Sequence, residues 1–487
     1  MSNQVVISPK KGGLSSKKVI EFIDKMQLNK INLHSLMIMR RGEVLCEAYY
    51  KPVDKDFKHR LYSSSKTVVA LAIGMLIDEG KINLDDKISK FFPEVIDAPL
   101  EKWRDEITIE DMLKMAVSLD KYRYFDPDYN PVWAFFNRGK IEKPSGTIFN
   151  YNSAVSYMLG VLVEKLSGKT VIEYMRPLFD EIGVSKDIWC LKSPDGYSWM
   201  ASGIVCTLRD FSAIAQFILD KGNVNGKQLI SQKYMEKMTS SQIPVLHANH
   251  QRLDKLGYGY QTWIGEYGFV MSGMCGQMAY AFNDKQFLFV CNGDIGCANV
   301  TSAYSILYQG IRDLYLSLDT ECEDDDGELN KKLASLELDG SVGKDCSPLA
   351  EKINGNKYNL QPNPMNFKWV KLELEKDGGA LVYENARGVK RLKFNYNKYL
   401  QTTFPETHYQ DVQVRVPANR ELDCVNAGGW VTDNIFVIKS HIIDTCVANV
   451  YITISFKGDD IAIQLQPCAE HCLEDYGGFA GGEKNRN

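Results

Sequence analysis

The stretch HRLYSSSKTVVALAIGMLIDEG carries serines at 63, 64 and 65 directly ahead of Lys66 and an apolar run. On a helix, residues three apart share one face, whereas neighbours one or two apart point elsewhere. Ser63 is therefore the serine that can meet Lys66. At the N-terminus of such a helix, unpaired backbone N–H groups and the positive end of the dipole favour an oxyanion forming beside Ser63. A lysine held out of water has its pKa lowered and can take the serine proton, which is the chemistry of nucleophilic catalysis. The alternative is structural. Serine is a favoured helix N-cap, so Ser63 or Ser64 could cap the helix and Lys66 could be a solvated charge.

The elements around this pair follow from periodicity. Residues 14–27 have helical spacing, and LHSLMIMRRGEVLCEAYY reads as two strands joined by a turn at Arg41-Gly42. Val68, Leu71 and Met75 recur at helical spacing until Gly80 ends the element, and further helices are expected at ITIEDMLKMA, AVSYMLGVLVEKLSG and TLRDFSAIAQFILDKG. Strand-like alternation returns at GYGYQTWIG, GFVMSGM, QMAYAFN and QFLFVCN, and a last helix spans about Thr301–Leu316. The simplest assembly is an α/β (α+β) domain over residues 1–320. Its antiparallel sheet is flanked by helices from both chain ends, with a helical subdomain inserted between. The acidic run LDTECEDDDGELNKK places a linker at 321–350, and the alternating segments after it predict an all-β module over 351–487.

Length agrees with two domains, because single cores rarely grow past about 250–300 residues and the chain has 487. With 44% apolar and 24% charged residues and a net charge of -5, the chain has neither the composition of a disordered protein nor the basic excess of a nucleic-acid binder. No run approaches the roughly 18 apolar residues of a membrane span, and MSNQVVISPKKGG lacks a signal-peptide core, so a cytoplasmic protein is expected. The twelve cysteines are scattered, and those inside apolar runs, Cys46 and Cys291 among them, read as reduced core thiols.

From RLYSSSKTVVALAIGMLIDEGKINLDDKISKFFPE onward, the chain resembles the serine β-lactamase and penicillin-binding protein superfamily. The likeness is to its class C-like branch of esterases and amide hydrolases, and it runs over most of residues 30–315. ITIEDMLKMAVSL, SGTIFNYNSAVSYMLGVLVEKLSGKT, MASGIVCTLRDFSAIAQFILDKGNVNGKQLIS and GYGYQTW follow in that family's order. The resemblance implies a β-lactamase-like fold and an acyl-enzyme on Ser63, with Lys66 and Tyr151 moving protons. Tyr151, Asn152 and Ser153 stand at the family's second motif, and a tyrosine pKa can fall beside an ammonium. Met271, Ser272 and Gly273 stand where β-lactamases carry Lys-Thr-Gly. The backbone N–H groups of Ser63 and Met274 would then form the oxyanion hole. The Gly-x-x-Gly-Gln ending at Gln277 resembles the branch of esterases and nylon-oligomer hydrolases. Asn152, Ser153, Met271, Ser272, Gly273 and Gln277 are accordingly the expected substrate contacts.

Met271 cannot supply the positive charge that the family lysine offers a carboxylate, a loss of about 1.5–3 kcal/mol for such ligands. A small neutral ester or amide is the expected substrate, with no metal or organic cofactor and no nucleic-acid or membrane partner. Two alternatives stay open. One is a D-amino-acid peptidase or β-lactamase that reads carboxylate through another basic residue such as Arg252 or Arg387. The other is an inactive binding protein, which Met271 and AVS at 116–118, where the family usually has Thr-Ser-Gly, keep in view. The β module is expected to shape the pocket mouth or to mediate self-association as a homo-oligomer. Weaker signals are Cys468, His471 and Cys472, or His247 and His250, as metal ligands, and His59 with Asp86 as a triad. SGKT at 167–170 lacks the glycine spacing of a phosphate loop.

Overall fold

The computed structural model describes residues 4–119, 130–141, 143–246, 254–295, 300–320, 326–407, 421–444, 446–469, 473 and 476–485. It divides into two compact units, one mainly of residues up to Leu336 and one from Glu337 onward.

The first unit is built on an eight-stranded antiparallel sheet. Its strands are β1 (Leu33–Arg40), β2 (Glu43–Tyr49), β3 (Ile243–Pro244), β4 (Gly257–Tyr258), β5 (Trp263–Ile264), β6 (Phe269–Ser272), β7 (Met278–Phe282) and β8 (Phe287–Gly293), in the order β2-β1-β8-β7-β6-β5-β4-β3. Every residue of β1 and β8 is buried, because helices cover both faces at the sheet's centre. The β1–β2 turn falls at Arg41-Gly42, where both residues have positive φ, 52° and 80°, which matches the twist of a tight hairpin. Helix α1 (Ser16–Leu28) packs on α5 (Val300–Leu316), so the two ends of the domain lie side by side, and α4 (Leu208–Leu219) packs on β8, β7 and β1.

Helix α2 (Ser65–Asp78) is buried over nearly its whole circumference and packs on α3 (Ser153–Ser167). A helix apolar on all sides belongs in the interior, and this one anchors the domain. A small sheet of His59–Arg60, Ile204–Cys206 and Trp189–Cys190 leads into it.

Part of the stretch read as a linker is helical. Helix α6 (Asp326–Ala334) docks on α1, with Ser16 Oγ donating to Asp326 at 2.6 Å and Lys332 pairing with Asp24 at 2.6 Å. The second unit is a ten-stranded sheet that closes on itself when Gly388–Tyr396 pairs in parallel with Asp423–Thr432. Closure removes most free edges, and the interior is filled by Phe367, Tyr383, Trp430, Phe436 and Tyr476 among others. Among the described residues, no helix is long and apolar enough to cross a membrane.

Candidate active site

The three serines have three different surroundings. Ser63 and Ser64 lie in a 3-10 turn, Tyr62–Ser64, that runs into α2, and no serine side chain caps either element. Ser64 is fully buried and its hydroxyl donates to the carbonyl of Gln277 at 2.8 Å. Ser65 is also buried, and its hydroxyl accepts from the Ile204 N–H at 3.1 Å. Ser63 alone of the three is partly exposed, and Lys66 Nζ lies 3.1 Å from its Oγ. The turn is held tightly enough to put Tyr62, a buried non-glycine residue, at a φ of 47°, a conformation that costs about 1–2 kcal/mol.

Lys66 is 1% exposed and donates to the carbonyl of Ala201 at 2.5 Å. Burial disfavours its charged form, and the guanidinium of Arg60 adds to the effect, so its pKa is lowered from 10.5 to about 7. Near neutrality the amine is half unprotonated, the state a base requires.

Tyr151 comes from the loop ahead of α3. Its ring lies 5.1 Å from Lys66 Nζ and stacks on Trp263 at 5.6 Å between centroids, with Phe149 and Tyr258 closing the cluster. A hydrogen bond with Ser63 favours its phenolate, but burial opposes ionisation more strongly and pushes the pKa up to about 12. The expected fall beside an ammonium is absent for a physical reason: the neighbouring lysine is itself stripped of much of its charge. Tyr151 thus keeps its proton at neutral pH.

The other expected residues divide by what they touch. Asn152 is the N-cap of α3, accepting from Ala154 N–H at 3.0 Å, and Ser153 is the first residue of that helix, partly exposed. Met271 is fully buried in β6 opposite Ala279, and Ser272 follows it opposite Met278. Gly273 brings the end of β6 against the serine turn, since a Cβ there would stand 2.2 Å from the Leu61 carbonyl. That approach sets the Met274 backbone beside the turn that carries Ser63, while the Met274 side chain is exposed. Gln277 is fully buried and faces inward. Its amide donates to the carbonyls of Gly293 at 2.8 Å and Met274 at 3.2 Å and accepts from Asn292 Nδ2 at 3.1 Å. Its side chain braces the turn after β6 from beneath.

Sequence reasoning missed Trp263, Arg60, Ala201 and Gln261. The Gln261 amide joins three elements, accepting from Ser156 Oγ at 2.6 Å and donating to the Met112 carbonyl at 2.8 Å, while its own carbonyl accepts from Thr67 at 2.8 Å. Of the weaker signals, His59 faces His34 at 3.0 Å, and Asp86 pairs with Lys90 at 2.7 Å. Gly168 and Thr170 of SGKT end α3 and cap the next helix. Arg387 is exposed in the second unit. Arg252, His247, His250, His471 and Cys472 lie outside the described residues, and among the described ones no His, Cys, Asp or Glu group is placed to hold a metal.

The family model described as Beta-lactamase matches residues 27–302, and the chain belongs to that family. A 6-aminohexanoate-dimer hydrolase of Paenarthrobacter ureafaciens is 25% identical over 234 residues, covering 44% of this chain and 59% of that protein. The chain therefore spans less than two thirds of that relative's length. Among solved structures, a penicillin-binding protein homolog from Caulobacter crescentus superposes with a TM-score of 0.51 at 18% identity, over 62% of this chain and 97% of that one. The hydrolase EstCE1, described as having promiscuous acyltransferase activity, gives a TM-score of 0.50 at 15% identity, over 62% and 99%. At such identities the superpositions carry the fold.

Proposed function

We propose that the chain is a serine hydrolase that cleaves a small neutral ester or amide through an acyl-enzyme on Ser63. One observation carries the reading: a buried lysine amine, with its pKa lowered to about 7, lies 3.1 Å from the hydroxyl of the one partly exposed serine in its turn. The Ser63 proton passes to Lys66 as Oγ bonds to the substrate carbonyl carbon. The carbonyl oxygen takes the displaced electron pair and is stabilised by the N–H groups of Ser63 and Met274. When the bond to the leaving group breaks, Tyr151 protonates that group and recovers its proton from Lys66. Water then attacks the acyl carbon along the reverse route, releasing the acid and restoring Ser63.

The neutral substrate follows from Met271, which is apolar and fully buried where β-lactamases carry a cation. An amide-cleaving relative, the 6-aminohexanoate-dimer hydrolase, supports the hydrolase class. The test is intact mass of the full chain after treatment with a fluorophosphonate, alongside Ser63→Ala, with p-nitrophenyl acetate turnover measured on both. A single adduct and turnover, both lost in the variant, are expected. A folded protein that takes no adduct and turns over no ester refutes the reading in favour of a binding protein.

A further inference from the structure

One buried cation beside Ser63 has no part in the proton route. Arg60 is 3% exposed and lies three residues before the serine. Its Nε donates to the Ser202 carbonyl at 2.8 Å, its Nη2 donates to Ser202 Oγ at 2.8 Å, and its guanidinium lies 4.6 Å over the Tyr62 ring. The same Ser202 hydroxyl accepts from Trp199 Nε1 at 2.7 Å. The preceding carbonyl, that of Ala201, is the one that receives Lys66. Arg60 and Lys66 are therefore seated on consecutive carbonyls of one turn, which is closed by Gly203 N–H donating to the Trp199 carbonyl at 2.7 Å.

This arrangement has two consequences. The rigid fork of an arginine fixes the turn it grips, and so fixes the carbonyl that aims Lys66. A guanidinium also stays charged at every working pH, and a like charge nearby disfavours a second ammonium. We infer that Arg60 is a positioning residue for the hydrolysis: it holds the Ala201-Ser202 turn against Lys66 and, as a fixed cation, favours the uncharged amine that takes the Ser63 proton. The inference rests on the serine-hydrolase reading. Arg60 also lies over Tyr62, the residue in the left-handed region, so it braces the serine turn from its other side.

Among the described residues, the other titratable groups facing the pair are Tyr151 from the loop ahead of α3 and the half-buried Cys190 thiol from the short strand. Cys190 feels Glu164 and Lys192 as well as Arg60. Glu164 on α3 accepts from the N–H groups of Ser198 at 3.1 Å and Val171 at 3.2 Å. His59, next to Arg60 in the strand, has Nε2 3.0 Å from His34 Nδ1.

The experiment separates charge from grip. Arg60→Gln keeps an N–H for Ser202 and removes the charge, Arg60→Lys keeps the charge, and Ser202→Ala keeps the charge and loosens the grip. In the full-length proteins, the titration midpoint of Lys66 is read by competitive trace acetylation and peptide mass, which needs no turnover. The rate of Ser63 labelling by a fluorophosphonate is followed over the same pH range. Arg60→Gln is expected to raise the Lys66 midpoint by about half to one pH unit and to slow labelling about three- to tenfold below the wild-type midpoint. Arg60→Lys should leave the midpoint in place. Ser202→Ala should leave the midpoint in place and lower the high-pH plateau of labelling. An unmoved midpoint in folded Arg60→Gln, or an equal rise in Arg60→Lys, overturns the charge effect. An unchanged plateau in Ser202→Ala overturns the positioning, including where Arg60→Gln does not fold. A normal shift of the Lys66 midpoint with no Ser63 adduct at any pH in the wild type would count against the hydrolase reading instead.

Discussion

Lowering the pH from about 8 to about 6 should remove roughly nine-tenths of the ester hydrolysis, through the single group Lys66. Burial and Arg60 lower that amine to about 7. Its unprotonated fraction is then about 0.9 at one end of the range, half in the middle and about 0.1 at the other. Because the base must begin without a proton, kcat/KM should follow that fraction with unit slope and level off above about pH 8. No loss is expected up to about pH 10, because Tyr151 keeps its proton with a pKa pushed up to about 12. The assay is kcat/KM for p-nitrophenyl acetate in buffers of constant ionic strength, with Ser63→Ala as the blank at each pH. An unburied lysine would put the midpoint near 10.5 instead. A profile flat between about pH 6 and 8, or a midpoint above about pH 9, refutes the assignment of Lys66 as the base.

The remaining expectations concern single residues. Tyr151→Phe should lower kcat about 10²–10⁴-fold while keeping the limb near pH 7, which steady-state kinetics would show. The same lowered pKa predicts a linkage effect, because between about 7 and 10.5 the unfolded chain holds a proton on Lys66 that the folded chain lacks. Stability from this group is full above the unfolded value and is lost as pH falls toward the folded one. Relative to Lys66→Met, the wild type should therefore gain about 2 kcal/mol from about pH 7 to about pH 9 in urea unfolding. Gln277→Leu removes the hydrogen bonds to the Gly293 and Met274 carbonyls and from the Asn292 amide and should cost about 1–3 kcal/mol, read from the same transitions. Gly273→Ala must push the end of β6 off the Leu61 carbonyl, and labelling of Ser63 should fall about a hundredfold as the Met274 N–H moves away.

What could be read in advance was what is local in the chain. Ser63 and Lys66 are one helical turn apart, so their meeting needs no knowledge of the rest of the fold. The hairpin at Arg41-Gly42 and the helix over 14–27 are local in the same sense. Ala201 and Ser202 lie far along the chain from the lysine and arginine they hold, and nothing in MASGIV marks them as partners. Trp263 stacks on Tyr151 only because β5 is laid beside the loop ahead of α3. The capping role of Asn152 could have been read in advance, because an asparagine directly ahead of the apolar run SAVSYMLG is an N-cap signal. Gln277 could not, because the family motif marks a conspicuous position and is silent on whether the side chain faces the cleft or the core. The helix α6 was hidden by its acidic approach, although GELNKKLASL has leucines at helical spacing.

The surroundings of the three serines bear on how an adduct must be located. Cleavage after Arg60 and after Lys66 releases the hexapeptide LYSSSK, in which the three serine hydroxyls have the same intrinsic reactivity and give adducts of the same mass. In the folded chain Ser64 and Ser65 are sealed and engaged with Gln277 and Ile204, so a reagent that marks only the first serine reports the fold and not the peptide. A denatured sample should lose that preference and scatter whatever label it takes among the three. Regioselectivity resolved by fragment ions within this one peptide is therefore a compact readout of whether the serine turn is correctly built.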